Sequence, residues 1–118
     1  MKILIADKLA STVLPALETM GCTVFSDPSL NGESLHASIA KNNPQVIVVR
    51  STRLSAQQIQ AGRALTLIIR AGAGVNTIDL DTASDRGVYV ANCPGKNAVA
   101  VAELTWGHIL NADRRIAD

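Results

Sequence analysis

Residues 45–49 read Gln-Val-Ile-Val-Val, the most strand-like run in the chain, and the rest of the sequence is organised around them. Branched side chains fit a pleated surface, and four apolar residues in succession leave no face for water, as in a strand buried on both sides of a parallel sheet. Upstream, Lys2–Asp7 (KILIAD) and Cys22–Phe25 repeat the pattern; downstream, Leu65–Ile69 and Val88–Ala91 do. Helical spacing fills the intervals. Ser11 is placed to cap a helix with Leu14, Leu17 and Met20 on one face and its stop at Gly21; Glu33–Asn42 carries Leu35, Ile39 and Ala40 and halts before Pro44. Ser55 opens a short helix through Ile59 and Ala61 that Gly62 closes, and Asp79–Arg86 ends at Gly87. Strict alternation with short connections predicts a parallel sheet with right-handed crossovers and helices on both faces.

Composition agrees with this class. A chain of 118 residues suits one domain. With 47% apolar residues and only Phe25, Tyr89 and Trp106 aromatic, the core must be built from Val, Ile, Leu and Ala. A formal charge of +1 provides no global field for nonspecific nucleic-acid binding, so any charge-based function is local. Cys22 and Cys93 stand in no CxxC or Cys/His cluster, which argues against a disulfide framework or a structural metal and for a reduced, cytoplasmic setting. The apolar run after Lys2 is too short for a signal-peptide core, and nothing reaches the length of a membrane span.

From about Asn97 to Ile116 the pattern changes. Ala98–Leu104 (AVAVAEL) is apolar nearly all round, broken only by Glu103. A helix with apolar residues on every side needs burial on every side. It is expected to serve a second body outside this sequence, or a second copy through helix packing or exchange hinged at Pro94-Gly95.

In open parallel sheets ligands bind beyond the carboxyl ends of the strands. Five of the eleven cations, Lys8, Arg50, Arg53, Arg70 and Lys96, fall at those tips and predict a positive edge. Gly72-Ala73-Gly74 leaves a strand there, and its small residues let a backbone approach an anion closely. Arg50, Arg53 and Arg70 could add bidentate bonds to a carboxylate or phosphate, with Ser51 and Thr52 as hydroxyl donors. The same glycines also suit a plain turn and the arginines a solvated surface; the pattern alone leaves both open. A dinucleotide fingerprint fails, because its third glycine would fall at Thr77 and its acidic residue near Gly95-Lys96. His36 and His108 lack a carboxylate and nucleophile beside them and read as structural, and Cys93 has no evident base.

Three ordered segments carry a resemblance. VVRSTRLS (48–55), IIRAGAGVNTIDL (68–80) and NCPGKNAVAVAEL (92–104) are similar to the Arg-Ser substrate loop, the R-A-G-x-G-V-x-N-I-D signature and the N-x-P-x-x-N-x-x-x-x-A-E-L segment of the D-isomer-specific 2-hydroxyacid dehydrogenases. The chain resembles that family from its first strand to its end, and most closely the members acting on 3-phosphoglycerate. The resemblance implies a flavodoxin-like, three-layer substrate or lid domain over residues 1–96, with strand order 2-1-3-4-5. Residues 97–118 would be an interdomain helix leading to an NAD-binding Rossmann domain that this sequence does not contain.

The resemblance further implies that Arg50 and Ser51 contact the phosphorylated end of the substrate and that Gly72, Ala73 and Gly74 hold its carboxylate through their backbone. Arg70 joins the same substrate set, Asn97 binds at the hinge, and Ala73, where the family often has Thr or Ser, touches the cofactor. The intact enzyme would oxidise 3-phospho-D-glycerate to 3-phosphohydroxypyruvate with NAD, on the route to serine. No catalytic residue and no metal ligand is expected within these residues, so the isolated chain is expected to be inactive and to bind no NAD alone. A stand-alone flavodoxin-like anion-binding or interaction module is the alternative. A receiver domain fits poorly, since Asp7-Lys8 and Arg50 occupy the places where it needs carboxylates for magnesium.

Overall fold

In the computed structural model, which describes residues 1–117, five short strands pair into one parallel sheet. They are β1 (Lys2–Ile5), β2 (Thr23–Ser26), β3 (Val46–Val49), β4 (Leu67–Arg70) and β5 (Tyr89–Ala91), in the order β2-β1-β3-β4-β5. Between them run α1 (Val13–Thr19), α2 (Gly32–Asn42), α3 (Ala56–Ala61) and α4 (Leu80–Asp85), and α5 (Ala98–Arg114) follows the last strand. The flavodoxin-like order expected above is therefore the order of the molecule. Asp118, the end of the segment assigned to the terminal helix, lies outside the described residues.

Local chemistry sets the boundaries. Gly21 and Gly87, at φ +80° and +65°, end α1 and α4 in left-handed turns that glycine adopts without a Cβ clash. In each, the glycine N–H returns to the carbonyl three residues back and the next N–H to the one five back, Cys22 to Leu17 and Val88 to Ala83. Cys22 is thus spent on closing α1, and β2 starts at Thr23 rather than at Cys22. Leu65 likewise closes a turn onto Gly62, which delays β4 to Leu67. Ser11 does not cap α1. Val13 N–H bonds the Ala10 carbonyl at 3.0 Å, so a backbone turn takes the place of a side-chain cap and Thr12 becomes the flanking residue.

The sheet carries unequal layers. On one face Leu4, Ile47, Val49 and Ile68 bury against Leu35 and Ile39 of α2, Ile59 of α3 and Ala83 of α4. On the other, Ile3, Ile5, Val46 and Val48 meet Val13, Leu14 and Leu17 of α1, while Leu67 and Ile69 are only partly covered. α5 buries none of its residues. The Cα radius of gyration, 17.2 Å, exceeds the roughly 13–14 Å of a compact chain of this length, because α5 stands away from the body. No helix among the described residues is long and apolar enough to cross a membrane.

Candidate anion site at the carboxyl edge of the sheet

Parallel strands deliver their carboxyl ends to one edge, so residues distant in sequence converge there. The tips of β3, β4 and β5 enclose a recess of about 550 Å³ lined by Arg50, Arg70, Ala71, Gly72, Ala73, Cys93, Lys96 and Asn97. Five of the seven expected site residues share it. Gly74 lies in a neighbouring groove of about 760 Å³ beside Arg53, and Ser51 lines neither. Among the described residues the ion pairs join His36 to Glu33 and Arg114 to Asp113, so Arg50, Arg70 and Lys96 face the recess without carboxylate partners.

Arg70 ends β4 with its guanidinium folded over Gly72, and its Nε is sequestered without an acceptor. A sequestered donor left unpaired costs about 1–3 kcal/mol, more when charged. Gly72 N–H turns back to the Arg70 carbonyl at 2.8 Å, whereas no acceptor among the described residues takes the N–H of Ala73 or Gly74. The glycine loop is held from β5: Asn92 Nδ2 donates to the Ala73 carbonyl at 2.6 Å, and Cys93 N–H donates to the Gly72 carbonyl at 2.9 Å.

The β3 tip is held from β1. Asp7 Oδ2 accepts the N–H groups of Arg50, Ser51 and Thr52 at 2.6, 3.1 and 2.9 Å, and Oδ1 accepts the Ser51 hydroxyl at 3.0 Å. The Thr52 hydroxyl donates to the Ala6 carbonyl at 3.2 Å. Burial alone would push the Asp7 carboxyl up, but the donors of Arg50, Thr52 and Ser51 together hold it below its ordinary value. Neither this bracing nor that of Asn92 was read from the sequence. A signal existed, in an acidic residue at the tip of the strand adjacent to a polar turn, but the strand order had to be known to use it.

The recess lies at the carboxyl edge of a flavodoxin-like sheet, and its lining holds Arg50, Arg70 and Lys96 and, among the described residues, no carboxylate. The chain belongs to the D-isomer specific 2-hydroxyacid dehydrogenases: the description of that family's catalytic domain matches residues 3–115. It is 36% identical over 117 residues to D-3-phosphoglycerate dehydrogenase of Archaeoglobus fulgidus, covering 98% of this chain and 22% of the relative. It is 38% identical over 116 residues to the enzyme of that name from Methanocaldococcus jannaschii, again with 98% and 22% coverage. Among solved structures, the NAD+-bound 3-phosphoglycerate dehydrogenase of Entamoeba histolytica superposes with a TM-score of 0.81 at 29% identity, over 94% of this chain and 38% of that one. The chain thus spans about a fifth of the length of the curated relatives it matches.

Proposed function

We propose that this chain is the substrate-side domain of an NAD-dependent dehydrogenase that oxidises 3-phospho-D-glycerate to 3-phosphohydroxypyruvate on the route to serine, a reading supported by its similarity to proteins named D-3-phosphoglycerate dehydrogenase. The observation that carries the reading is the convergence on one recess of Arg50, Arg70 and Lys96, none of them in an ion pair among the described residues. Residues 1–96 form the substrate body, and α5 (Ala98–Arg114) is the interdomain helix, three residues short of the last described residue. Arg50 grips the phosphate, with Ser51 in the same loop. Arg70 and the free N–H groups of Ala73 and Gly74 hold the carboxylate, the Gly72 N–H being spent on the Arg70 carbonyl, and Asn97 closes the recess where α5 begins.

The residues present do not build a dinucleotide cradle, since Thr77, with its Oγ1 sequestered and unpaired, stands where a glycine would be needed and Lys96 where an acid would. NAD in the intact enzyme would be held elsewhere and would supply the hydride acceptor, with Ala73 as its point of contact with this domain. The chain alone binds and orients the substrate and turns nothing over. The apolar surface of α5 is the interface to the partner domain or, in this chain by itself, to a second copy.

Titration with 3-phosphoglycerate while following backbone amide signals tests the reading. Shifts at Arg50, Ala73 and Gly74 are expected. No perturbation there overturns it, and inorganic phosphate binding equally well would favour a general anion module. NADH formation from 3-phosphoglycerate by the chain alone would overturn the expected inactivity.

A further inference from the structure

Three successive backbone N–H groups aimed at one point make an anion-binding nest. At the tip of β3 that nest is already filled, by a carboxylate of the chain itself: Asp7 Oδ2 takes the N–H of Arg50, Ser51 and Thr52. A hydroxyl has a single hydrogen to donate. That of Ser51 goes to Asp7 Oδ1 and that of Thr52 to the Ala6 carbonyl, so among the donors of residues 50–53 only the Arg53 N–H and the Arg50 and Arg53 side chains are left without an acceptor in the described residues. Arg53 lines the neighbouring groove, and Arg50 alone of the two turns into the recess with Arg70.

We propose that Asp7 is the positioning residue of the anion site: its carboxylate occupies the β3-tip nest, fixes Arg50 toward the recess, and withholds the Ser51 and Thr52 donors from the ligand. The proposal rests on the reading of the recess as the substrate site and sharpens it. The phosphorylated end of a substrate is gripped by the Arg50 side chain, while main-chain donation comes from the free N–H of Ala73 on the other wall. Ser51 contributes through loop geometry. Without Asp7 the three N–H groups would become a rival anion site at the tip of β3, and Arg50 would lose its fixed starting point.

The test compares wild type with Asp7→Ala and Asp7→Asn, the latter keeping one acceptor oxygen, by 3-phosphoglycerate titration of the 15N-labelled chain. In wild type the ligand should move the amides of Ala73 and Gly74 and leave those of Ser51 and Thr52 in place. Asp7→Ala should weaken binding about tenfold or more and transfer ligand-induced shifts to Ser51 and Thr52; Asp7→Asn should rescue part of the affinity. Thermal midpoints separate this from a merely structural role, which would lower the midpoint of a variant and leave its affinity and shift pattern alone. Wild-type affinity and pattern in either variant overturns the positioning role by itself. No binding by wild type overturns the substrate reading and the positioning role together. Should Asp7→Ala fail to fold, the wild-type pattern still decides, because ligand shifts at Ser51 and Thr52 in wild type contradict the withholding of those donors.

Discussion

The guanidinium of Arg70 occupies the space that a Cβ on Gly72 would fill. The glycine therefore does more than loosen a turn: its φ is not in the left-handed region, and what it provides is room for the arginine that faces the recess. The obstacle to a methyl group is the far end of a flexible side chain, so Gly72→Ala should fold with a thermal midpoint close to wild type while Arg70 swings out. Losing one or two charge-assisted hydrogen bonds, about 1.5–3 kcal/mol each, predicts 3-phosphoglycerate binding at least tenfold weaker by calorimetric titration. Undiminished affinity would remove Arg70 from the ligand contacts.

Asp7 also ties stability to pH. Burial pushes its carboxyl up, but the donors of Arg50, Thr52 and Ser51 pull it further down, so the folded chain holds the proton less tightly than the unfolded one, where aspartate titrates near about 3.9. Its contribution is fully present above the unfolded value and is lost as pH falls through the folded one. Asp27, held low by the Ser29 hydroxyl and N–H, and Asp79, held low by the Thr82 N–H and hydroxyl, act in the same direction. Wild type and Asp7→Asn should differ in urea midpoint by a constant gap above about pH 5, closing below about pH 4. A gap independent of pH would mean that the charge of Asp7 is not what the loop requires.

The centre of the fold should respond to size alone. Ile47, on the middle strand β3, is fully buried between Leu4 of β1 and Ile68 of β4, with which it is in register. Ile47→Ala removes apolar contact and leaves a cavity that short, sheet-bound neighbours can fill only in part, at a cost of about 2–5 kcal/mol. Denaturant unfolding should show that loss with an unchanged slope. A cost below about 1 kcal/mol would indicate a core that collapses onto the vacancy.

How much of this could be read from residues alone follows from where the information lies. KILIAD, QVIVV and the run around Ile68 are apolar on both faces and suit strands covered on both sides, whereas the run around Val90 forms the edge strand and leaves Tyr89 exposed; the glycines at 21 and 87 mark real left-handed stops. Ser11 misled because capping by a side chain and closure by a backbone turn from Ala10 are equally compatible with the same letters. At the site, charge clustering on strand tips picked out Arg50, Arg70 and Lys96, which share one recess with the Asn97 that the family resemblance supplied, whereas Arg53 lies in the neighbouring groove. What letters could not give was direction. Asp7 counted as one more polar tip residue, although its two oxygens take four donors from a loop more than 40 residues away. Cys93, noted only for lacking a base, lines the recess, because its N–H ties the β5 tip to Gly72.

The terminal helix carries the last prediction. Val99, Trp106 and Leu110 fall at i, i+7 and i+11, one stripe over three turns, and are 72%, 63% and 50% exposed; Val101, Leu104 and Ile109 occupy the remaining sides. Apolar surface of this extent on a helix that buries nothing of its own drives association when no other body covers it. Trp106 is the only tryptophan, so its emission reports on that helix alone. The chain should sediment as a dimer at high concentration, with Trp106 emission shifting to the blue as concentration rises. Trp106→Arg removes the reporter together with the anchor, so the decisive variant is Val99→Lys with Leu110→Lys. It keeps the tryptophan and breaks the stripe on both sides of it, and because neither residue touches the sheet, the thermal midpoint of the body should hold. A concentration-independent monomer with red emission is expected for the double variant. The same behaviour in wild type would show that α5 does not pair copies of this chain.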